Sequence, residues 1–265
     1  MKDPLNMMRT MYRHILQISF SFILFVFFTG CDEVKNDPND AAAAFVEAKE
    51  AYDDEYFEMA LPKLQEFKAR FPYSKYSTEA ELLIADAHFR MDQFPEAAAV
   101  YDQFTKLHPN HPKVDFALFR VGECYWKEAP EELDREQEFT EKAISIWAEL
   151  KSRYPRSKYN SEAGELTKVG KRRLADSEHF VAKFYCKLQK WGACAYRAMG
   201  LIENHSQYKD LLKEGARLGH KAFSQLAKGR EKGTIKEDAN LITRSMDIAK
   251  LKSKAQELDS IYKKL

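Results

Sequence analysis

The sequence predicts an all-α protein built from repeated pairs of helices, and two observations carry this prediction. Helix breakers are rare, since the 265 residues include only 10 Gly and 9 Pro, while good helix formers are abundant. In addition, small and aromatic residues recur with a spacing of 37 residues between 48–72 and 85–109. The 42 basic residues nearly balance the 41 acidic ones, which argues against nucleic acid as a partner.

Within each copy, small residues stand where two helices must approach closely, and aromatic residues fill the next layer. A proline follows the second helix, which it cannot continue because it lacks the backbone N–H. This pattern resembles the tetratricopeptide repeat, a helix–turn–helix unit. We therefore predict a right-handed, superhelical solenoid of about five repeats and about ten helices.

The later copies depart from the pattern in ways that the sequence itself shows. The third copy is stretched by an insert at 128–138, and the fourth opens with a long helix at about 160–189. A fifth pair, at about 207–228 and 235–264, keeps helical periodicity but loses the signature. Atypical terminal repeats are expected because they cap the stack with a polar face.

The N-terminal thirty residues have a different character and predict an export signal. Residues 15–28 carry no charge and follow two arginines, and the run is shorter than the roughly 20 residues that a spanning helix needs. Small residues then precede Cys31, which resembles a bacterial lipobox with Phe28 where Leu is usual. We expect Cys31 to become the lipidated first residue; an uncleaved anchor or a buried helix with an incidental Cys is the alternative.

These features divide the chain into three parts. Residues 1–30 are a lipoprotein signal peptide, and 31–41 hold the lipidated Cys and a polar tether. Residues 42–265 form the repeat domain, with three N-terminal repeats in 42–155 and two C-terminal repeats in 156–265.

Three cysteines follow Cys31, namely Cys124, Cys186 and Cys194. An odd number in an oxidising compartment leaves at least one thiol free or intermolecular. Cys186 and Cys194 can pair only if they face each other across a helical hairpin, and buried, unpaired thiols are the alternative.

No catalytic motif is present in the sequence, neither a zinc-protease helix, a nucleophile elbow, a phosphate loop nor a dinucleotide fingerprint. We therefore expect no enzyme activity, cofactor or metal. His108 and His111 have a spacing that could hold a metal, but the prolines between and after them favour an inter-repeat turn. Acidic clusters at 53–55 and 131–134 lack a partner His and are expected to be solvated.

Two further groups of residues allow both a binding and a structural interpretation. The basic run 171–173 could meet phospholipid head groups or an acidic partner, or lie on a solvated helix face and pair with Glu165 and Asp176.

Trp147 and Trp191 have the spacing of packing residues. Aromatic residues gather in the first repeat and its exit turn, where peptide binding and packing are both open; these are Tyr52, Tyr56, Phe71, Tyr73 and Tyr76.

The turns carry the most specific signal. FPYSKY at 71–76 is echoed by YPRSKY at 154–159, with HPNHP at 108–112 between them. This ordered series behind a lipobox resembles the BamD family, lipoproteins of the outer-membrane β-barrel assembly machinery. The resemblance covers residues 42–210 well and the last fifty loosely.

The resemblance implies a protein on the periplasmic face of the outer membrane. Its C-terminal half would bind the periplasmic domains of a BamA-like Omp85 barrel protein, alongside other lipoproteins of the complex. Its N-terminal repeats would receive the C-terminal strand of unfolded outer-membrane proteins. That strand typically ends in an aromatic residue, which an aromatic-lined groove suits.

The family's signal-binding positions correspond to Phe71, where the family usually carries Tyr, and to Arg197. We assign Tyr73 and Tyr76 to the same substrate-peptide site. The insert keeps only 134–136 of the family's acidic–basic motif, and Asp32 favours inner-membrane retention in enteric bacteria. The competing interpretation is another tetratricopeptide lipoprotein of the envelope, such as a pilus-secretin pilotin or a cell-division coordinator; a hydrolase within the array is the least supported.

Overall fold

A computed structural model describes residues 40–235 and 241–265, and the regular structure in them is helical. The signal peptide, Cys31 and most of the tether lie outside these residues. The helices are α1 (Ala41–Asp53), α2 (Phe57–Arg70), α3 (Ser77–Arg90), α4 (Phe94–Leu107), α5 (Val114–Glu128), α6 (Glu138–Arg153), α7 (Asn160–Lys187), α8 (Trp191–Asn204), α9 (Lys209–Glu231), α10 (Leu241–Arg244) and α11 (Ile248–Lys264).

Apart from the four-residue α10, the described residues hold ten helices, and the prediction of an all-α, tetratricopeptide-like repeat fold is confirmed. The chain divides into two units, 1–44 and 45–265. Of the first unit the structure describes only the start of α1, where the Asp40 carboxylate accepts a hydrogen bond from the Ala42 N–H at 2.8 Å. All packing described below lies within 45–265.

Successive helices from α2 to α9 pack against their neighbours in chain order. The 37-residue repeat has the predicted structural meaning: Ala60 and Ala97, at equivalent positions of α2 and α4, are both fully buried. One layer further, Phe67 and Phe104 are 2% and 1% exposed. The insert of the third repeat is a loop over 129–137, between α5 and α6.

The third repeat shows why small residues are needed. Trp147 of α6 is 2% exposed and its indole N–H donates to the carbonyl of Phe119 on α5 at 3.3 Å. The indole lies directly against Gly122, where a Cβ would overlap the ring. The packing role predicted for Trp147 is confirmed, and Trp191 likewise packs, half-buried, against the core of the C-terminal repeats.

A polar ladder joins the first helices of three repeats. Tyr52 donates to Asp86, 34 residues further on, and Arg120 follows at the same spacing with its guanidinium 3.5 Å from Asp86. Tyr101 donates to the other Asp86 oxygen at 2.9 Å. Burial, reinforced by the Asp86 carboxylate, raises the pKa of both tyrosines above the usual value, so both hydroxyls remain donors.

At four successive repeat junctions, the first helix of one repeat places a cation over an aromatic ring of the preceding repeat. The four pairs, with the distance from the cation to the ring centroid, are Arg90–Phe57 at 4.8 Å, Arg120–Phe89 at 4.3 Å, Arg173–Trp126 at 4.2 Å and Lys221–Trp191 at 5.7 Å.

The α7–α8 hairpin is closed by a disulfide between Cys186 and Cys194, whose Cα atoms are 5.0 Å apart. The structure therefore decides the alternative that the sequence left open. The turn between the helices places Gln189 at a positive φ of 57°, a conformation uncommon for a residue with a side chain. Cys124 is a free, buried thiol, and burial raises its pKa to about 12, which keeps it protonated and unreactive.

The fifth repeat differs from the prediction of one helix over 235–264. The chain breaks between α10 and α11, where Asp247 is extended and caps α11 through its side chain. Arg230 of α9 donates to the carbonyls of Thr243, at 2.8 Å, and Met246. The cap and this guanidinium satisfy backbone groups that the helix break would leave unpaired.

The packing of Gly122 against Trp147 predicts opposite effects for two Gly→Ala substitutions. Gly122→Ala should lower the free energy of unfolding by about 1–3 kcal/mol, because the added methyl group overpacks the indole. Gly164→Ala on α7 should raise it by about 0.5–1 kcal/mol, since no atom lies within 4 Å of the added Cβ and Ala favours the helix. Urea unfolding followed by circular dichroism measures both; equal effects would contradict the close approach.

The disulfide predicts a reduction-sensitive stability. Reducing the Cys31→Ala protein should lower its free energy of unfolding by about 2 kcal/mol, because a closed loop between Cys186 and Cys194 restricts the unfolded chain. The same protein unfolded without reductant should titrate one thiol, that of Cys124. The Cys186→Ala, Cys194→Ala double variant is the control and should not respond to reductant; three thiols in the unreduced protein would contradict the pairing.

Candidate functional site

Aromatic residues gather around the exit turn of the first repeat and are here named the first-turn aromatic cluster: Phe45 on α1, Phe67 on α2, and Phe71, Tyr73 and Tyr76 in the turn. The Phe71 ring centroid lies 5.5 Å from that of Phe67, which lies 5.3 Å from that of Phe45. Tyr76 stacks on Phe45 at 4.9 Å with 10° between the ring planes. The structure thus brings the predicted residues Phe71, Tyr73 and Tyr76 into one turn.

The members of the cluster differ in exposure. Phe71 and Tyr76 are half-buried, whereas Tyr73 is 100% exposed. Cations lie over two of the rings, with Arg70 5.3 Å from the centroid of Phe71 and Lys75 5.0 Å from that of Tyr76. Phe71 and Tyr76 therefore pack and still present surface, while the Tyr73 side chain is available to a ligand.

The turn that carries the cluster is fixed by its backbone. The Phe71 N–H donates to the carbonyl of Phe67 at 2.9 Å, which ends α2. The Phe71 carbonyl accepts from the Ser77 hydroxyl at 2.5 Å and from the Ser74 N–H at 3.0 Å. The backbone bond recurs in the two later turns, from the His111 N–H to the His108 carbonyl and from the Ser157 N–H to the Tyr154 carbonyl, both at 3.0 Å. The side-chain bond recurs only in the last turn, where the Asn160 amide donates to the Tyr154 carbonyl at 2.8 Å.

Arg197 on α8 lies between two cavities. One, of about 380 Å³, has a mostly apolar floor that includes Met199, Phe223 and Met246. The other, of about 440 Å³, lies between α7, α8 and the 129–137 insert. Arg197 lines both, and within the residues that the structure describes its guanidinium forms no ion pair.

Glu178 and Asn204 also line both cavities. One Glu178 oxygen is buried and accepts no hydrogen bond from any described residue, although His205 Nε2 is 3.5 Å away. A guanidinium and a carboxylate therefore line the same space. This arrangement suits the donors and acceptors of a peptide backbone.

The insert is held in one shape by a buried side chain. The Gln137 amide nitrogen lies 3.4, 3.0 and 3.3 Å from the carbonyl oxygens of Pro130, Glu132 and Arg135. Its oxygen accepts from the Thr140 hydroxyl at 2.9 Å. The insert thus forms a fixed wall of the second cavity, including the 134–136 remnant noted in the sequence.

The structure does not bring all predicted site residues together. None of the cavities described for 40–235 and 241–265 is lined by both Arg197 and a member of the first-turn aromatic cluster. Arg197 belongs to the fourth repeat and the cluster to the first. They form two separate surfaces.

The predicted turn at His108 and His111 is confirmed. His108 Nε2 lies 2.7 Å from a Glu81 oxygen, and His111 accepts from the backbone N–H of Lys113 at 3.1 Å. Both rings pack on Phe104. In the described part of the chain, no group of three or more His, Cys, Asp or Glu residues is arranged to hold a metal ion.

The basic run on α7 is mostly engaged. Arg172 pairs with Asp176 at 3.0 Å, as predicted, and also reaches Asp210 of the next repeat at 2.6 Å. Arg173 lies over Trp126. Glu165 pairs with Lys168 instead of the run, so the run serves mainly to join repeats.

Sequence reasoning missed three features of the site: the unsatisfied Glu178 oxygen, the role of Gln137 in ordering the insert, and the exposed end of α7. A signal existed for the last, because 179–202 contain no acidic residue. The other two depend on contacts between distant residues.

The sequence was compared with family models and with known proteins, and both comparisons point to one family. Residues 37–237 match a family model described as YfiO, outer membrane lipoprotein. The outer membrane protein assembly factor BamD of Neisseria meningitidis serogroup B is 28% identical over 195 residues, covering 70% of this chain and 73% of the relative. BamD of Neisseria gonorrhoeae is 28% identical over 170 residues, covering 61% and 64%. BamD of Vibrio cholerae is 26% identical over 170 residues, covering 61% and 70%.

None of the helices in 40–235 and 241–265 has the length and apolar character needed to cross a bilayer. The family model spans most of the chain, including all the turns and the hairpin described above. The chain therefore belongs to the YfiO family of outer membrane lipoproteins.

Proposed function

We propose that this chain is an outer-membrane protein assembly factor, a lipid-anchored, non-enzymatic scaffold that receives unfolded β-barrel precursors and binds an Omp85-type insertase. The single observation that carries the proposal is the family match over 37–237. The three relatives compared above are named outer membrane protein assembly factors.

The proposed anchor is Cys31. Acyl chains contribute about 0.8 kcal/mol of membrane affinity per buried methylene, so a multiply acylated residue holds a protein firmly on a bilayer. Only residues 32–40 separate Cys31 from α1, and at about 3.3–3.6 Å per residue they span roughly 30 Å. The repeats would therefore work close to the periplasmic face of the outer membrane, with inner-membrane retention through Asp32 as the alternative placement.

The first-turn aromatic cluster is the proposed receptor for the precursor. Tyr73 projects into solvent, and the half-buried Phe71 and Tyr76 form a rigid apolar base beside it. Aromatic side chains are frequent anchors in peptide recognition because they bury much apolar area at little entropic cost. A strand that ends in an aromatic residue fits such a surface.

Arg197 is the proposed second contact with the precursor. Its guanidinium carries no ion pair among the described residues and borders two cavities, so it can donate charge-assisted hydrogen bonds to a peptide carboxylate or carbonyl. A precursor that contacts both Arg197 and the cluster must reach from the first repeat to the fourth. The C-terminal half, 156–265, is the proposed docking region for the insertase, and other assembly lipoproteins are expected to join the complex.

The receptor role predicts that Tyr73→Ala, Phe71→Ala and Arg197→Ala each weaken crosslinking to a photoreactive peptide that ends in the C-terminal strand of a β-barrel protein. The expected loss is on the order of tenfold for Phe71 and Arg197, from lost apolar contact and a lost charged hydrogen bond. Tyr73→Ala separates binding from folding because its side chain supports no packing. Leu107→Ala, at an exposed position of α4, is the control; unchanged crosslinking in all three variants would place the receptor elsewhere.

The anchor predicts that Cys31→Ala abolishes incorporation of an alkyne-labelled fatty acid in cells and moves the protein from the membrane to the aqueous fraction, because the thioether forms on this sulfur. Cys124→Ala is the matched control and should keep label and membrane association. Label retained by the Cys31→Ala protein would refute the assignment.

A further inference from the structure

The end of the α7–α8 hairpin has a charge unlike the rest of the chain. Residues 179–202 contain no Asp or Glu but include Lys183, Lys187, Lys190 and Arg197. The chain as a whole is nearly neutral, with a formal net charge of +1. A local excess of four cations is therefore a property of this hairpin and not of the composition.

Among the described residues, no carboxylate lies within salt-bridge distance of these four cations. Lys183, Lys187 and Lys190 are exposed, and neither they nor Arg197 form an ion pair with any residue of 40–235 or 241–265. Arg172, about four turns before the hairpin end on the same helix, contrasts with them because it pairs with two carboxylates. The free cations attract negative charge from outside the chain.

The same hairpin exposes apolar side chains. Phe180 and Phe184 on α7 and Leu188, its C-cap residue, follow each other at a spacing of four and are 42%, 50% and 51% exposed, so they form one stripe along the helix. Tyr196 on α8 is 48% exposed. Clustered, exposed apolar side chains of this kind mark contact surfaces.

The hairpin is also held in place. The Cys186–Cys194 disulfide joins its two helices on their buried side, and Lys221 of α9 lies over Trp191 at the start of α8. A surface that is fixed before binding loses less conformational entropy when it binds.

We infer that this hairpin surface, formed by Phe180, Lys183, Phe184, Lys187, Leu188, Lys190 and Tyr196, is a preformed docking site for an acidic, apolar-edged segment of a partner protein. Carboxylates of the segment pair with the lysines, and its apolar side chains cover the stripe. The disulfide is the positioning element, because it keeps the last turn of α7 against α8.

The shape of the surroundings favours a protein segment over an anionic bilayer. Beside the hairpin surface, the cavities of about 380 and 440 Å³ meet at Arg197. Side chains of a protein can enter such cavities, whereas a bilayer surface would cover their openings without filling them.

This inference deepens the proposed function, on which it rests for the identity of the partner: the insertase would supply the acidic segment. The test places photoreactive benzoylphenylalanine at position 184 of the full chain in its native envelope and sequences the crosslinked peptide. We expect a peptide of net negative charge with apolar residues. Lys183→Glu, Lys187→Glu and Lys190→Glu together should reduce this crosslink at least tenfold, while the same changes leave a crosslinker at position 107 unaffected.

A defined probe gives a second measurement. Fluorescence anisotropy should show that the full chain binds a synthetic amphipathic peptide with Leu at every fourth position and Glu at its flanks. The triple charge reversal should weaken this binding at least tenfold, and the matched peptide with Lys flanks should not bind. The Cys186→Ala, Cys194→Ala variant should bind several-fold more weakly with an unchanged salt dependence, as expected for lost positioning.

The outcomes separate the two claims. A crosslink to lipid, to a second copy of this chain or to a basic segment overturns the inference, as does acidic-peptide binding that the charge reversal leaves intact. If the insertase crosslinks elsewhere on the chain but not at position 184, the inference fails and the proposed function stands. If position 184 captures an acidic segment of an unrelated protein, the docking site stands and the proposed function fails.

Discussion

The close approach of paired helices is the constraint on which the rest of this structure depends. The helices meet at residues whose side chains are no larger than a methyl group and are fully buried, among them Ala60, Ala85, Ala97, Ala117, Ala143, Ala182 and Ala198. Because the two helices of each pair lie close together, the aromatic side chains next to their contact can pack against the following pair of helices. The turns then fall at regular places, and each repeat can present its exit turn to solvent.

Once the pairs are set, polar and cationic contacts fix how one repeat follows another. In the Tyr52–Asp86–Arg120 ladder, and at the four junctions where a cation lies over an aromatic ring, charged side chains are engaged in contacts between repeats. The α7–α8 hairpin is different, since its lysines remain without carboxylate partners among the described residues and its stripe of Phe180, Phe184 and Leu188 remains uncovered. The first-turn aromatic cluster is the other surface whose side chains remain available for contacts. It belongs to the first repeat, whereas the α7–α8 hairpin forms the fourth.

Much of the fold could be predicted from the sequence because it depends on local periodicity. The 37-residue spacing, the prolines after α2, α4 and α6, and the insert before α6 all follow from residues near one another in the chain. Helix bounds can be predicted well where breakers are strong: the sequence predicts a long helix at about 160–189, and α7 runs over Asn160–Lys187. The break before α11 is not evident in the sequence, because it depends on Arg230 of another helix, which donates to the carbonyls of Thr243 and Met246 just before the Asp247 cap.

The candidate site was predictable only in part, because some of its contacts join residues that are far apart in the sequence. Phe71, Tyr73 and Tyr76 are neighbours in sequence, so their clustering could be expected. The cavities beside Arg197, the unsatisfied Glu178 oxygen and the pairing of Cys186 with Cys194 depend on how α7, α8 and the insert pack. Such long-range contacts leave no periodic signal in a single sequence.

Purification of the tagged, lipidated chain from its native envelope tests the central claim most directly. Mass spectrometry of the proteins retained after mild detergent extraction should identify an Omp85-type barrel protein in stoichiometric amount, enriched with the wild-type chain over an unrelated tagged lipoprotein. Recovery of a pilus secretin or a cell-division protein in its place, with the barrel protein at background, would contradict the account.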